Sequence, residues 1–266
     1  MSKKNRGIGT IALAYFRQDM DRRDAINYWR GDHGWLVSQQ DGCSVYRQVK
    51  FMDDPLLHIP GWKVDERLNK QFIPDGAAEN LVPTYVRGIK LMLSDNRKKI
   101  YLDERNFLRQ VFMYVTCKSN CIWFKDDLSA FDNETGIESG ERILLLFKGD
   151  GLKGLVLHTL PNIAMKNEAI KEIHSYCFTK YREKLWASVD VNHIQPKSEE
   201  YQAALLLGAD NKAAVLDFLR SAIVAAAIDE SSAESVYALD VEQVTVMRYN
   251  DKRSLKAING KSGNQD

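Results

Sequence analysis

The stretch GTIALAYFRQDMDRRDAINYWRGDHGWLVSQQDGCSVYRQVKF, residues 9–51, holds three hydrophobic patterns in succession. Gly9 to Arg17 is rich in β-compatible apolar residues and predicts a buried strand. Gln18-Asp19-Met20-Asp21 then supplies a turn, with Asp21 as a helix N-cap. Arg22 to Gln40 carries apolar residues at 25, 26, 29, 36 and 37, the spacing of one helix face. Asp41-Gly42 breaks that helix. Val45, Arg47, Val49 and Phe51 then alternate with Tyr46, Gln48 and Lys50 as the two faces of a second strand.

Outward from this β-α-β opening come about twenty residues containing Pro55, Pro60 and Gly61, too irregular for sheet or helix; long loops of this kind often line a site. PDGAAENL (74–81) turns into a short extended segment. Thr84 to Phe107 shows two helical patches parted by Ser94-Asp95-Asn96, and RQVFMYVTC (109–117) returns to strand. The order is β-α-β-β-α-β. Residues 118–140, with their Asp, Asn, Ser and Gly, read as a linker. RILLLFKGD (142–150) is then a strand, Leu152 to Ile170 mainly helix, IHSYCFTKY (173–181) a strand and Leu185 to Lys197 a long loop. YQAALLLGA (201–209), Asn211 to Asp229 and SVYALDVEQVTVMRY (235–249) follow as strand, helix and strand, so the same order occurs twice.

That repeat predicts an α+β protein of two ferredoxin-like units, residues 1–117 and 141–250, with a linker at 118–140 and a flexible tail at 251–266. Each such unit leaves one sheet face needing a partner, and two in one chain can cover each other as a barrel of two four-stranded sheets. A cavity is expected either between the sheets or between a sheet and its helices.

Composition narrows the function classes. With 266 residues, 44% hydrophobic and 27% charged, the chain can bury a large core. A formal net charge of +1, with Lys and Arg scattered, provides no field to gather nucleic acid or anionic lipid. The longest purely apolar run, Ala222 to Ile228, is far short of the roughly 20 residues of a membrane span. MSKKNRGIGT meets Gly-Ile-Gly-Thr where a secretory signal would carry an apolar stretch, so a cytoplasmic location is expected.

The four cysteines stand at 43, 117, 121 and 177. The close pair Cys117–Cys121 lacks redox or zinc spacing and has no nearby His, so reduced thiols and no metal are expected. There is no GxSxG elbow, P-loop or GxGxxG after a strand. GDGLKG (149–154) reads as a strand-to-helix turn.

Tyr28-Trp29-Arg30-Gly31-Asp32-His33-Gly34-Trp35-Leu36-Val37, followed by Tyr46-Arg47-Gln48, resembles the first helix and second strand of the EthD domain family, of the dimeric α-β barrel superfamily. Asp75-Gly76-Ala77-Ala78-Glu79 resembles its D-G-x-A-E signature. Val191-Asn192-His193-Ile194-Gln195-Pro196 and YQAALLLGADNKAAV (201–215) look like a tandem member. The resemblance spans nearly the whole chain, with two departures: Trp35 stands where the family usually has proline, and residues 120–140 look inserted. It implies a dimeric-α/β-barrel-type fold within one chain. It also implies cofactor-free chemistry on small, often aromatic compounds: decarboxylation, dehydration or oxidation of phenols.

The residues must carry the chemistry, since one scaffold serves many functions. His33 shares a helix face with Ile26, Trp29 and Leu36 and so faces inward. Gly31 and Gly34 bracket it at a cost of about 1 kcal/mol each relative to Ala, which suggests that the helix opens onto something there. An imidazole can give or take a proton at neutral pH, worth roughly 10²–10⁴ in rate when positioned. His33 is therefore the leading acid/base candidate, with His193 and Glu79 as further catalytic candidates. Tyr15, Trp29, Trp35, Tyr46 and Trp62 are candidate aromatic walls, and Arg47 a holder of a substrate carboxylate.

The expected function is a cofactor-independent lyase, a decarboxylase or dehydratase of a small phenolic compound in aromatic catabolism. The alternatives are a cofactor-free oxygenase on an electron-rich phenol and a non-enzymatic small-ligand or haem-binding barrel. The expected partner is a small aromatic substrate. The tandem repeat stands in for the usual homodimer, although exposed sheet edges would allow two chains to pair.

Overall fold

The computed structural model describes residues 5–63 and 70–259. Ten strands run β1 (Asn5–Arg6), β2 (Ile8–Phe16), β3 (Val45–Leu57), β4 (Gly76–Val82), β5 (Leu108–Asp126), β6 (Glu141–Lys148), β7 (Ile170–Phe178), β8 (Ala203–Ala209), β9 (Ser235–Tyr249) and β10 (Lys252–Arg253). The helices are α1 (Arg22–Tyr28), α2 (Gly34–Ser38), α3 (Tyr85–Leu93), α4 (Asp95–Glu104), α5 (Leu160–Lys166), α6 (Lys212–Arg220), α7 (Ala222–Asp229) and α8 (Leu255–Asn259).

The first half orders its strands β5-β2-β4-β3 and the second β9-β6-β8-β7; antiparallel pairing of β3 with β9 and of β5 with β7 joins the two into a closed eight-stranded barrel. Closure leaves no long free edge among these strands, so the expectation of edge-to-edge pairing between chains loses its ground. The interior is filled by alternate residues of both halves, among them Ile11, Leu13, Phe112, Leu144, Leu206 and Tyr237. With helices outside, most strands are buried on both faces, which is why β2 and β8 read as nearly continuous apolar runs.

Local chemistry sets the element ends. The Asp21 side chain accepts from the Arg23 backbone N–H at 2.8 Å, capping α1. Ser94 separates α3 from α4, and Asn211 caps α6. Gly42, at φ +101°, turns the chain where a Cβ would lie 2.3 Å from the Arg87 carbonyl oxygen.

Three expectations are corrected. Strand β3 continues through the Pro55 region to Leu57, because a bulge after Phe51 lets Leu56 and Leu57 resume pairing with β9. The expected linker is strand as far as Asp126: Lys118–Asn120 only bulge outward before the chain pairs with β7, Cys121 and Trp123 facing the barrel interior and Ile122 and Phe124 the core of the second half. Residues 127–140 then fold over one barrel end, held by bridges from Phe131 to Glu138 and from Ile137 to Thr245. The tail also folds in part, with Ala257 buried against Cys43, Tyr46 and Met247; residues 260–266 lie outside the described residues.

Candidate active site

The helix entered at Asp21 does not run regularly to Gln40. Between α1 and α2 lies a π-helical turn, Trp29–His33, in which the Gly34 N–H reaches back to the Trp29 carbonyl. Gln48 on β3 donates to the same carbonyl at 2.7 Å. Gly34 lets this turn sit against the sheet, since a Cβ there would lie 2.6 Å from Met247 Cε. A π turn widens the helix and rotates the residue at its end, a feature frequent at functional sites.

His33, 5% exposed, is thereby aimed into a cavity of about 450 Å³ between the outer face of the first-half sheet and its helices. Small strand residues, Ala12 and Ala78, leave the space beneath it; α3 and α4 cover it. Helix α3 has no buried residue, and its Tyr85, Ile89 and Leu93 stand exposed at the rim of the cavity.

The His33 ring is held from two sides. Its Nδ1 lies 2.7 Å from Asp103 Oδ2, and Phe107 packs on it with ring centroids 4.7 Å apart. Asp103 also accepts from Tyr28 Oη at 2.5 Å. Burial works against the Asp103 charge, yet these hydrogen bonds and the one from Asn106 hold its carboxyl below its ordinary pKa. An ionised Asp103 places the imidazole proton on Nδ1. Nε2, which has no hydrogen-bond partner among the described residues, is then left as a base lining the cavity.

Glu104 is the next residue on α4 and also lines the cavity. It accepts from Trp186 Nε1 at 2.9 Å and from the Ser188 hydroxyl. Its pKa is raised, chiefly by burial, so the wall beside His33 carries a carboxyl inclined to keep its proton. Asp103, Glu104 and Trp186 were missed from sequence. Two carboxylates at the end of a charged helix carry no signal that distinguishes them from a solvated pair.

Of the expected aromatic walls, Tyr46 lines the cavity, its hydroxyl accepting from Gln48 at 2.9 Å. Trp29 lies fully buried beside it, over Gly76, where a Cβ would lie 2.8 Å from the indole. Half-buried Trp35 is not part of the cavity wall, and Trp62 belongs to the core of the second half.

Tyr15, Arg47 and Glu79 point through the opposite sheet face into the barrel. There Arg47 contacts Glu79 at 2.8 Å, Glu138 at 2.5 Å and Glu172 at 2.6 Å, all buried, so its carboxylate partners belong to the protein. Arg142 joins Glu138 and Glu172, and His174 stacks on Trp123 at 3.7 Å. Glu79 is thus tied into an ion network, and the D-G-x-A-E stretch has a packing role. Asp75 accepts from the Phe16 N–H at 2.7 Å, and Gly76 makes room for Trp29.

His193 stands outside the cavity. Its Nε2 accepts from the Ser188 N–H at 2.8 Å and its Nδ1 lies 3.2 Å from the Val111 carbonyl; burial lowers its pKa. It pins the loop that brings Ser188 and Trp186 to Glu104.

The fold defines the class. No family model and no curated protein matches the chain. Solved structures do: a candidate monooxygenase of Fusobacterium nucleatum subsp. nucleatum has 5% identity over 93% of this chain and 95% of its own, at a TM-score of 0.56. A candidate monooxygenase of Lactobacillus acidophilus matches at 8% identity over 93% and 98%, TM-score 0.51. An anthrone oxidase-like protein matches at 8% over 91% and 93%, TM-score 0.54. The fold is an antiparallel eight-stranded α+β barrel with neighbours of the dimeric α+β barrel type. Among the described residues no helix is long and apolar enough to cross a membrane.

Proposed function

We propose that the protein is a cofactor-independent enzyme in which His33, oriented by Asp103, takes a proton from a small, uncharged aromatic compound, and the resulting anion reacts with dioxygen. The observation that carries this reading is a base with its second nitrogen anchored at 2.7 Å on a half-buried aspartate and its free nitrogen in a largely apolar cavity. The oxygenase and oxidase names of the structural neighbours support it as analogy.

The chemistry balances simply. His33 Nε2 receives the proton of an acidic O–H or C–H, and the remaining electron pair delocalises over the ring system. At an activated CH₂, dioxygen then accepts electrons, one oxygen atom becomes the carbonyl and the other leaves as water. Protons return to the departing oxygen through His33 or Glu104.

Decarboxylation is the weaker reading for a physical reason. Among the described residues no Lys or Arg lines the cavity, so an entering carboxylate would lose its hydration without compensation from them, and Arg47 is engaged on the other side of the sheet. A haem does not fit these residues either, since its propionates would find no cation among the described residues of the wall. We read each half as a ferredoxin-like unit of the EthD type, the first carrying the site. Assaying the protein with electron-rich phenols and anthrone tests the proposal: dioxygen uptake without CO₂ release is expected, and CO₂ release without uptake would return the reaction to the lyases.

A further inference from the structure

The cavity has a second polar end. From His33 the chain continues through α2 to Gln40, about 10 Å further along the helix direction. Gln40 is 4% exposed and lines the cavity, and its Nε2 has no hydrogen-bond partner among the described residues. A buried amide N–H₂ without an acceptor is destabilising, so its retention calls for an occupant.

Below it on the sheet, Cys43 Sγ lies 3.6 Å from Asn80 Oδ1, and Asn80 Nδ2 donates to Thr10 Oγ1 at 3.1 Å. Thr10 and Asn80 both line the cavity. Thr10 spends its oxygen as an acceptor in this chain, and no acceptor for its own hydroxyl hydrogen occurs among the described residues. This end is donor-rich, whereas the His33 end presents a lone pair. Between the two ends lie Ala12 and Ala78, whose short side chains leave a flat floor on the sheet.

We propose that Gln40, with Thr10, binds a carbonyl oxygen of the substrate, and that the substrate is a planar, uncharged, conjugated carbonyl compound whose acidic O–H or C–H faces His33. The proposal rests on the His33 reading for the reacting end but not for the binding of the carbonyl. When the bond to hydrogen breaks, its electron pair moves through the conjugated rings onto that carbonyl oxygen. The donors of Gln40 and Thr10 then face an enolate or phenolate oxygen, where their hydrogen bonds strengthen. Gln40 therefore acts as a specificity-determining residue.

The test uses two tricyclic probes and the full chain, with dioxygen excluded so that neither probe reacts: xanthone, which carries a carbonyl oxygen, and xanthene, which has a CH₂ in its place. Dissociation constants come from calorimetric titration. The unmodified protein should prefer xanthone about tenfold, the effect of one net hydrogen bond. Gln40→Met and Thr10→Val should each erase most of that preference while leaving xanthene affinity unchanged, and His33→Ala should leave the preference intact. A preference that survives both substitutions, or failure of xanthone to bind, overturns the proposal. A xanthone preference erased as expected in a protein that consumes no dioxygen would instead overturn the catalytic reading and leave the binding assignment standing.

Discussion

The two halves share one element order, and even one irregularity: a π-helical turn follows the first strand in both, Trp29–His33 in the first half and Leu155–Thr159 in the second. What differs is the filling between sheet and helices. In the second half Ile143, Leu145, Leu207, Phe218, Leu219 and Ile228 make a dry core. In the first half the corresponding space is floored by Ala12, Ala78, Thr10 and Asn80, and its covering helix α3 has no fully buried residue.

The π turn of the second half ends on Thr159, and its His158 is solvent-exposed. The turn is therefore architecture common to both halves. The site arises where small side chains leave room opposite it. A well-packed second half and a shared barrel interior supply the stability that allows the first half to keep a hole.

Making the first half resemble the second should have the largest effect. Ala78→Leu fills the floor beneath His33; dioxygen uptake should fall about 100-fold, the scale of an ångström-sized misplacement, while the melting temperature holds. Equal loss of both would mean that the cavity is needed for folding.

Asp103→Asn removes the carboxylate that fixes the proton on His33 Nδ1. Turnover should drop about tenfold to 100-fold with probe binding retained, since the second half works structurally without any such pair. Leu207→Ala in the second-half core should cost about 2–5 kcal/mol by denaturant unfolding. Met113→Ala on the cavity wall should cost less than about 1 kcal/mol, because its side chain already borders a void.

A further effect belongs to the barrel that both halves share. Burial works against the His174 charge, but Glu172, Asp126 and Glu79 push its pKa up to about 9. A folded pKa raised above the unfolded value of about 6.5 contributes stability fully present below that value and lost as pH rises through 9. The melting temperature should fall by about 5 °C between pH 7 and pH 10. His174→Gln should flatten that slope.

The repeat was legible because period-2 and helical patterns alternate in the same order twice, and SVYALDVEQVTVMRY is strand β9 residue for residue. Helix phase and the flanking glycines pointed His33 inward. Which sheet face is the barrel interior was not legible. Both faces of β3 are apolar enough to bury, so Arg47 and Glu79 were grouped with His33 although the sheet separates them. Asp103 lies 70 residues from His33, and only the packing of α4 on the π turn joins them.

His33 is the base on which the proposed chemistry depends. The most direct measurement is the initial rate of dioxygen uptake with anthrone by His33→Gln, in a variant that still binds xanthone and melts as the unmodified protein does. A fall of roughly 10²- to 10⁴-fold is predicted. An undiminished rate would contradict the account.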